Sequence, residues 1–358
     1  MSKNRDIQLG LCCVNTILHS QKPPIMSSRS VVLKTLETKG FDVLREKIIQ
    51  NLKDTLVLID WNEQNGIKVF RLSSELFPHK SNPKAQEYNY DFALDLLKQI
   101  GKKAKEYNQR ITFHPGQYNV IGTPREDVLE NTIRDLSYHT EVLDLMELGK
   151  DSVIVIHGGG VYKNKKETID RWCKQFYRLP NNVQNRLVLE NCEKNFSIVD
   201  CLEVSSRIGI PVVFDTHHFE CYKLLHKDEH FEEPEYYIGP ILDTWKKRGI
   251  KPKFHVSEQG SGKIGHHSDF IETIPEYLLE IPSKYHTNID IMIEAKMKEQ
   301  AIFKLYNKYP YLDCKLDIEN EKEEKGEKGD KGKKLKKKKL IIVGMEWAKN
   351  CGDNCECC

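Results

Sequence analysis

The sequence predicts a TIM-type (β/α)8 barrel, an α/β fold, followed by a disordered charged C-terminal tail. Three observations carry this. Eight short apolar segments rich in β-branched residues recur before residue 296. Segments with helical periodicity separate them. Metal-type side chains stand at, or just beyond, the C-terminal ends of most of the β-type segments. Alternation of strand and helix implies parallel strands with helical crossovers, and eight such units in one stretch fit a barrel. Ligand-type residues from many strand ends favour it over a doubly wound open sheet, whose site lies in a single crevice.

In chain order the β-type segments are IQLGLCCV (7–14), IKVFRLS (67–73), RITFHP (110–115), SVIVIH (152–157), RLVLEN (186–191), IPVVFD (210–215), KFHVSE (253–258) and IDIMIEA (289–295). Each is short and nearly continuously apolar, as strands covered on both faces require. FDVLREKIIQNLKDTLVLIDWNEQ (41–64) separates the first pair, YDFALDLLKQIGKKAKEY (90–107) the second and REDVLENTIRDLSYHTEVLDLMELG (125–149) the third. Their apolar residues recur at three- and four-residue steps, so each presents one apolar stripe to a sheet.

At 358 residues, with 39% hydrophobic and 30% charged residues, the composition is that of a soluble globular chain with a large core. The net charge of +2 provides no overall basic field, so polyanion binding would rest on local patches. No run of about 18 apolar residues appears, and the polar start MSKNRDIQ lacks a signal-peptide core. An intracellular, non-secreted monomer in the cytoplasm or nucleus, with no membrane association, is expected. In a reducing compartment the 11 cysteines read as free thiols or metal ligands. The barrel domain is expected over 1–318 and a low-complexity charged linker over 319–340. A short Cys-rich tail, with Cys351, Cys355, Cys357 and Cys358, completes the chain over 341–358. The lysine run in the linker reads equally as a solvated tail, a nuclear signal or a nonspecific DNA-binding arm.

The candidate ligands follow the strands: His114, His157, Glu190, then Asp215 with His217 and His218, then His255 and Glu294, with His266 and His267 in a loop after the seventh strand. A lone histidine at a strand end is ordinarily a hydrogen-bonding residue. Burying ionisable groups at six strand ends would cost several kcal/mol each without a metal to pair them. Mixed histidine and carboxylate ligands suit zinc, manganese or iron better than calcium. Their number implies two or three divalent ions, the usual device for hydrolysing phosphate esters. Asp215 and His218, three residues apart, both reach a site at the strand end, so His217 points elsewhere. His79, His139, His226, His230 and His286 read as surface or loop residues. His19, Cys12 and Cys13 stay open.

At these residues the chain resembles the UV damage endonuclease family, through NGIKVFRLSSELFP, FHPGQYNVI, VIHGGG, LVLEN, FDTHHF, PKFHVSEQ, GHHSDF and IEAK. The resemblance runs from IQLGLCCVN to IDIMIEAKMKEQAI and stops before the tail. It implies a metal-dependent DNA repair endonuclease acting on damaged double-stranded DNA. Such an enzyme holds up to three ions, usually Mn2+, and cuts the strand 5′ of a UV photoproduct. The implied ligands are His114, His157, Glu190, Asp215, His218, His255, His267 and Glu294. Glu190, Glu294, His255 and the metal-proximal Lys253 are the implied catalytic groups. Gln117 and Tyr118 match a pair that wedges into the duplex beside the lesion. Two departures stand out: Leu11 replaces a tyrosine and retains only packing against a base, and Cys192 replaces an aspartate. Asn15, Arg71, Ser73, Asn191 and Lys263 are the expected phosphate contacts. Three alternatives remain: an abasic-site enzyme of the endonuclease IV type, a metal-dependent sugar isomerase or epimerase, and a non-catalytic DNA-binding protein.

All these ligands precede the charged run, so a chain ending at Leu316 is expected to keep specific incision. It should lose nonspecific affinity, because lysines 336–339 release counterions from DNA only when present. The salt dependence of binding to undamaged duplex, compared for both lengths, checks this; a folded but inactive shortened chain would refute it.

Overall fold

Eight strands alternate with helices in the computed structural model, which describes residues 6–315. The strands are β1 (Ile7–Cys12), β2 (Val69–Arg71), β3 (Arg110–Thr112), β4 (Ile154–His157), β5 (Leu187–Glu190), β6 (Val212–Asp215), β7 (Lys253–Val256) and β8 (Ile289–Ile293). Their order in the sheet is β3-β2-β1-β8-β7-β6-β5-β4, and every pairing is parallel. The two ends meet where Phe113 bridges Ile154 in parallel. There Phe113 N donates to Val153 O at 3.1 Å and Val155 N to Phe113 O at 2.9 Å. The ring is thereby nearly closed, and the expected TIM barrel is present. The expected linker and Cys-rich tail lie outside the described residues.

The main outer helices are α1 (Phe41–Gln64), α2 (Leu94–Glu106), α3 (Glu126–Leu145), α4 (Lys165–Phe176), α5 (Ile198–Ile208), α6 (Thr216–Leu225), α7 (Pro234–Arg248) and α8 (Lys298–Lys308). Alternation is less strict than the sequence suggested. Two helices, α6 and α7, link β6 to β7, and only the short Glu276–Leu279 and Ile281–Tyr285 helices link β7 to β8. Local chemistry sets several boundaries. Ser197 and Asp200 form a reciprocal capping box at the start of α5, and Gly209 ends it in the left-handed conformation at φ 74°. Asp215 ends β6 and also caps α6, its side chain accepting from His218 N at 2.8 Å.

Strand residues alternate between two environments. Leu9, Leu11, Phe70, Phe254 and Ile291 belong to the apolar core that includes the helices. The alternate positions of β1, β7 and β8 are Gln8, Gly10 and Cys12, then Lys253 and His255, then Asp290 and Met292. Gly10 has a steric reason: a Cβ there would lie 3.0 Å from both Met292 Cε and Val69 Cβ. Cys12, Val69 and Met292 form a separate small apolar cluster. His139, expected at the surface, is instead fully buried in α3. Its Nδ1 lies 2.8 Å from Asp135 O and its ring packs edge-on against Phe113. The seven cysteines among the described residues are all free and buried.

Below this level lies a buried charge cluster. Arg110 Nη1 donates to Asp290 Oδ2 at 2.8 Å and to Lys251 O at 3.0 Å, while its Nε donates to Asp151 O at 2.6 Å. Lys251 pairs with Asp290 and donates to Gln8 Oε1 at 2.7 Å. Removing one partner of such a buried pair leaves the other charge uncompensated. Asp290→Asn is therefore expected to lower the free energy of unfolding by about 3–5 kcal/mol, read from denaturant midpoints. An unchanged midpoint would show that the cluster contributes nothing.

Candidate metal centre

The chain directions of a parallel barrel put every strand's C-terminal end at the same mouth, and the sequence places a ligand-type residue at most of them. His157, Glu190 and Asp215 are the last residues of β4, β5 and β6, and His255 is the third residue of β7. His114 and Glu294 stand just past β3 and β8. His218 reaches the same place from the first turn of α6.

Glu190 is the hub. It is fully buried, and its Oε2 lies 2.9 Å from His114 Nε2 and 3.3 Å from His157 Nε2. Its Oε1 lies 2.8 Å from His255 Nδ1 and 3.6 Å from His218 Nδ1. His255 Nδ1 is also 3.1 Å from Glu294 Oε1. Three groups of donors converge closely enough to share an ion: His114, Glu190 and His255; His157, Glu190 and His218; and Asp215, His255 and Glu294. Seven of the eight expected ligands belong to them. The eighth, His267, is buried, its ring 6.3 Å from that of His218.

The electrostatics of the cluster are set by burial and by its histidine–carboxylate contacts. Burial pushes the Glu190 carboxyl upward, but His255, His157 and the bond from His114 hold it well below the usual carboxylate range. Burial likewise opposes the charge on Glu294, and Arg71 and His255 outweigh it. Asp215 goes the other way, raised to about 7 by burial and by the neighbouring Glu190 and Glu294, against the pull of His218. Burial lowers His255 and His267 to about 4, keeping these imidazoles neutral and available as ligands. His157 is raised to about 9 because Glu190 outweighs its burial. The residues fit divalent ions: His267 Nδ1 is buried with no hydrogen-bond partner, and the donors are imidazole and carboxylate throughout.

Two cationic side chains support the cluster from within the barrel. Lys253 is fully buried and on the same strand face as His255, its Nζ 2.9 Å from His255 Nε2. Burial, then Arg71, lowers its ammonium to about 7. Arg71 donates to Glu294 Oε1 at 2.7 Å.

Among the expected DNA contacts, five need correction. Arg71 is only 3% exposed and orients Glu294, so it is no surface phosphate contact. Leu11 is 0% exposed, packed in the core on the face of β1 opposite Cys12, and cannot reach a base. Asn15 is buried as the N-cap of the Thr16–His19 helix, accepting from Leu18 N at 2.8 Å. Ser73 is buried and accepts from Glu75 N at 3.1 Å. Asn191 is buried and clamps Asp215, accepting from its N at 2.8 Å and donating to its O at 3.0 Å. Lys263, by contrast, is exposed.

Gln117 and Tyr118 are exposed beyond His114, Tyr118 by 53%. Asp135 of α3 holds the base of this loop, a role sequence inspection missed because its partners are remote in the chain. Its carboxylate accepts from Asn119 Nδ2 at 2.8 Å and from Ser81 Oγ at 2.5 Å. His217 stays out of the three ligand groups, its ring 3.5 Å from Cys221 Sγ. Glu193, one residue past Cys192, was also missed. Its carboxyl is held below its ordinary value by His218 and His157 despite burial. The available signal was its place two residues after Asn191.

The profile of the UV-endonuclease UvdE family matches residues 7–321. The chain belongs to that family. Its enzyme class is therefore that of a nuclease, in keeping with the resemblance read from the motifs. The UV-damage endonuclease of Schizosaccharomyces pombe is 39% identical over 323 residues, covering 87% of this chain and 52% of the yeast protein. The chain thus spans about half the length of that relative. The UV DNA damage endonuclease of Bacillus cereus strain B4264 is 34% identical over 272 residues, covering 75% of this chain and 83% of the bacterial one. The crystal structure of SacUVDE superposes with a TM-score of 0.72 at 30% identity, covering 86% of this chain and 100% of that one. No helix among the described residues is long and apolar enough to cross a membrane.

Glu190→Gln and Glu294→Gln each remove a negative charge that would offset mutually repelling cations. Each is expected to reduce bound divalent metal by at least one ion per chain with an unchanged circular dichroism spectrum. Elemental analysis of dialysed protein checks this, and full metal retention by either variant would rule out the arrangement.

Proposed function

We propose that this chain is a metal-dependent DNA repair endonuclease that hydrolyses the phosphodiester 5′ to UV photoproducts in duplex DNA. The observation that carries the reading is the buried Glu190 hub in a barrel mouth, beside an exposed aromatic loop, in a chain of the UvdE family. In this reading His114, His157, Glu190, Asp215, His218, His255, His267 and Glu294 hold two or three divalent ions, with Mn2+ the proposed metal. Such ions, when bound, supply Lewis acidity toward a phosphodiester and activate water near neutral pH.

The protein's part is positioning. Asn191 fixes Asp215 through two hydrogen bonds, Arg71 fixes Glu294, and Lys253 fixes the ring of His255. Fixed donors need no rearrangement as charge develops on the phosphate. Gln117 and Tyr118 fill the gap left as damaged nucleotides leave the stack, a step that costs less where stacking is already weakened. The proposed setting is intracellular, with the protein acting as a monomer.

The test is an end-labelled duplex carrying one cyclobutane dimer, incubated with the protein and Mn2+ beside abasic and undamaged controls. A nick immediately 5′ of the dimer, leaving a 3′-hydroxyl, is expected. Cutting confined to the abasic duplex would assign the endonuclease IV activity instead. In the same assay, Gln117→Ala combined with Tyr118→Ala should weaken dimer-duplex binding about tenfold or more, the scale of a lost base–aromatic stack, with metal content unchanged. Wild-type binding and cutting by the double variant would reduce these residues to a turn.

A further inference from the structure

The loop after β4 has no part in the chemistry above, yet its conformation is held against its own preference. Tyr162 and Lys163 adopt left-handed backbone at φ 46° and 72°, which costs free energy in residues with a side chain and persists only where surroundings impose it. The surroundings are specific. Arg171 of α4 lies 5.6 Å from the centre of the Tyr162 ring, and its Nε donates to Gly122 O at 2.7 Å in the loop that carries Tyr118. Gly159, at φ 86°, packs against that same loop so closely that a Cβ would lie 2.6 Å from Val120 Cγ1. The loops after β3 and β4 therefore form one braced unit. Each carries an exposed tyrosine, Tyr118 by 53% and Tyr162 by 41%, and each follows a strand with a ligand-type residue at or just past its end, His114 and His157.

The Tyr162 ring stays 41% exposed although its backbone is strained and Arg171 lies over it. At the mouth that would receive a duplex it offers a π-face, and the neighbouring exposed Lys163 and Lys166 offer charge for phosphates. We infer that Tyr162 is a second aromatic contact to DNA, stacking on a nucleotide of the bound duplex while Arg171 orients its ring. This deepens the proposed reading and rests on it for the identity of the partner.

The experiment compares the full chain with Tyr162→Ala and Tyr162→Phe on the dimer duplex, scoring binding by fluorescence anisotropy separately from single-turnover incision. Tyr162→Ala should bind about tenfold more weakly, the lower part of the range for one base stack. Its incision rate at saturating protein should stay within twofold of the parent. Tyr162→Phe, which keeps the ring, should bind like the parent. Metal content and melting temperature serve as the check on folding. Unchanged binding by Tyr162→Ala would overturn the inference, as would equal losses in the alanine and phenylalanine variants, which would assign the effect to the hydroxyl. A parent protein that binds duplex without nicking it would sink the proposed reaction, while the Tyr162 comparison would still decide this contact.

Discussion

At the mouth of the barrel, Glu190 shares its two oxygens among four histidines delivered by different elements, and no solvent reaches it. An ionised carboxylate in such a place would be disfavoured by several kcal/mol without partners. Its partners must arrive from β3, β4, β7 and the first turn of α6 at one height. Near-closure of the sheet through the Phe113–Ile154 bridge brings β3 beside β4, and so His114 beside His157, their rings 5.0 Å apart. In an open sheet the same residues would lie at opposite edges.

The two-residue period of the strands divides the labour. One face supplies Leu9, Phe70, Phe254 and Ile291 to the apolar layer beneath the helices, and this burial drives folding. The other face carries charge at two levels. At the lower level, Arg110 and Lys251 share the carboxylate of Asp290, a matter of stability. At the upper level the carboxylates outnumber their fixed cationic partners and look to histidines, and by inference to metal ions. Lys253, lying next to Asp290 in register but bonded to His255, stands between the two levels. Its ammonium is lowered by burial first and by the neighbouring Arg71 next.

The loops show a second design. Most polar residues near the strand ends turn inward to hold a ligand or a helix end, as Asn15, Asn191 and Arg71 do. Some residues left outward are braced: Gln117 and Tyr118 on the loop clamped by Asp135, and Tyr162 under Arg171. Rigid support of exposed side chains is how a loop presents a surface without losing affinity to its own ordering.

The amino-acid sequence by itself determined the alternation of strand and helix, the parallel barrel and the positions of the ligand-type residues, because each depends on local periodicity and on residue type at strand ends. It also placed Lys253 with His255, since two residues on a strand share a face. Only the tertiary structure decided which polar residues stay at the surface. Leu11, Asn15, Arg71, Ser73 and Asn191 looked like contacts from their neighbours in the chain. Their burial comes from partners such as Glu294 and Asp215, 223 and 24 residues away. The same holds for His139 in the core and for Asp135 beneath the Tyr118 loop. Periodicity reports which face a side chain takes; what meets it there depends on which elements the barrel brings together.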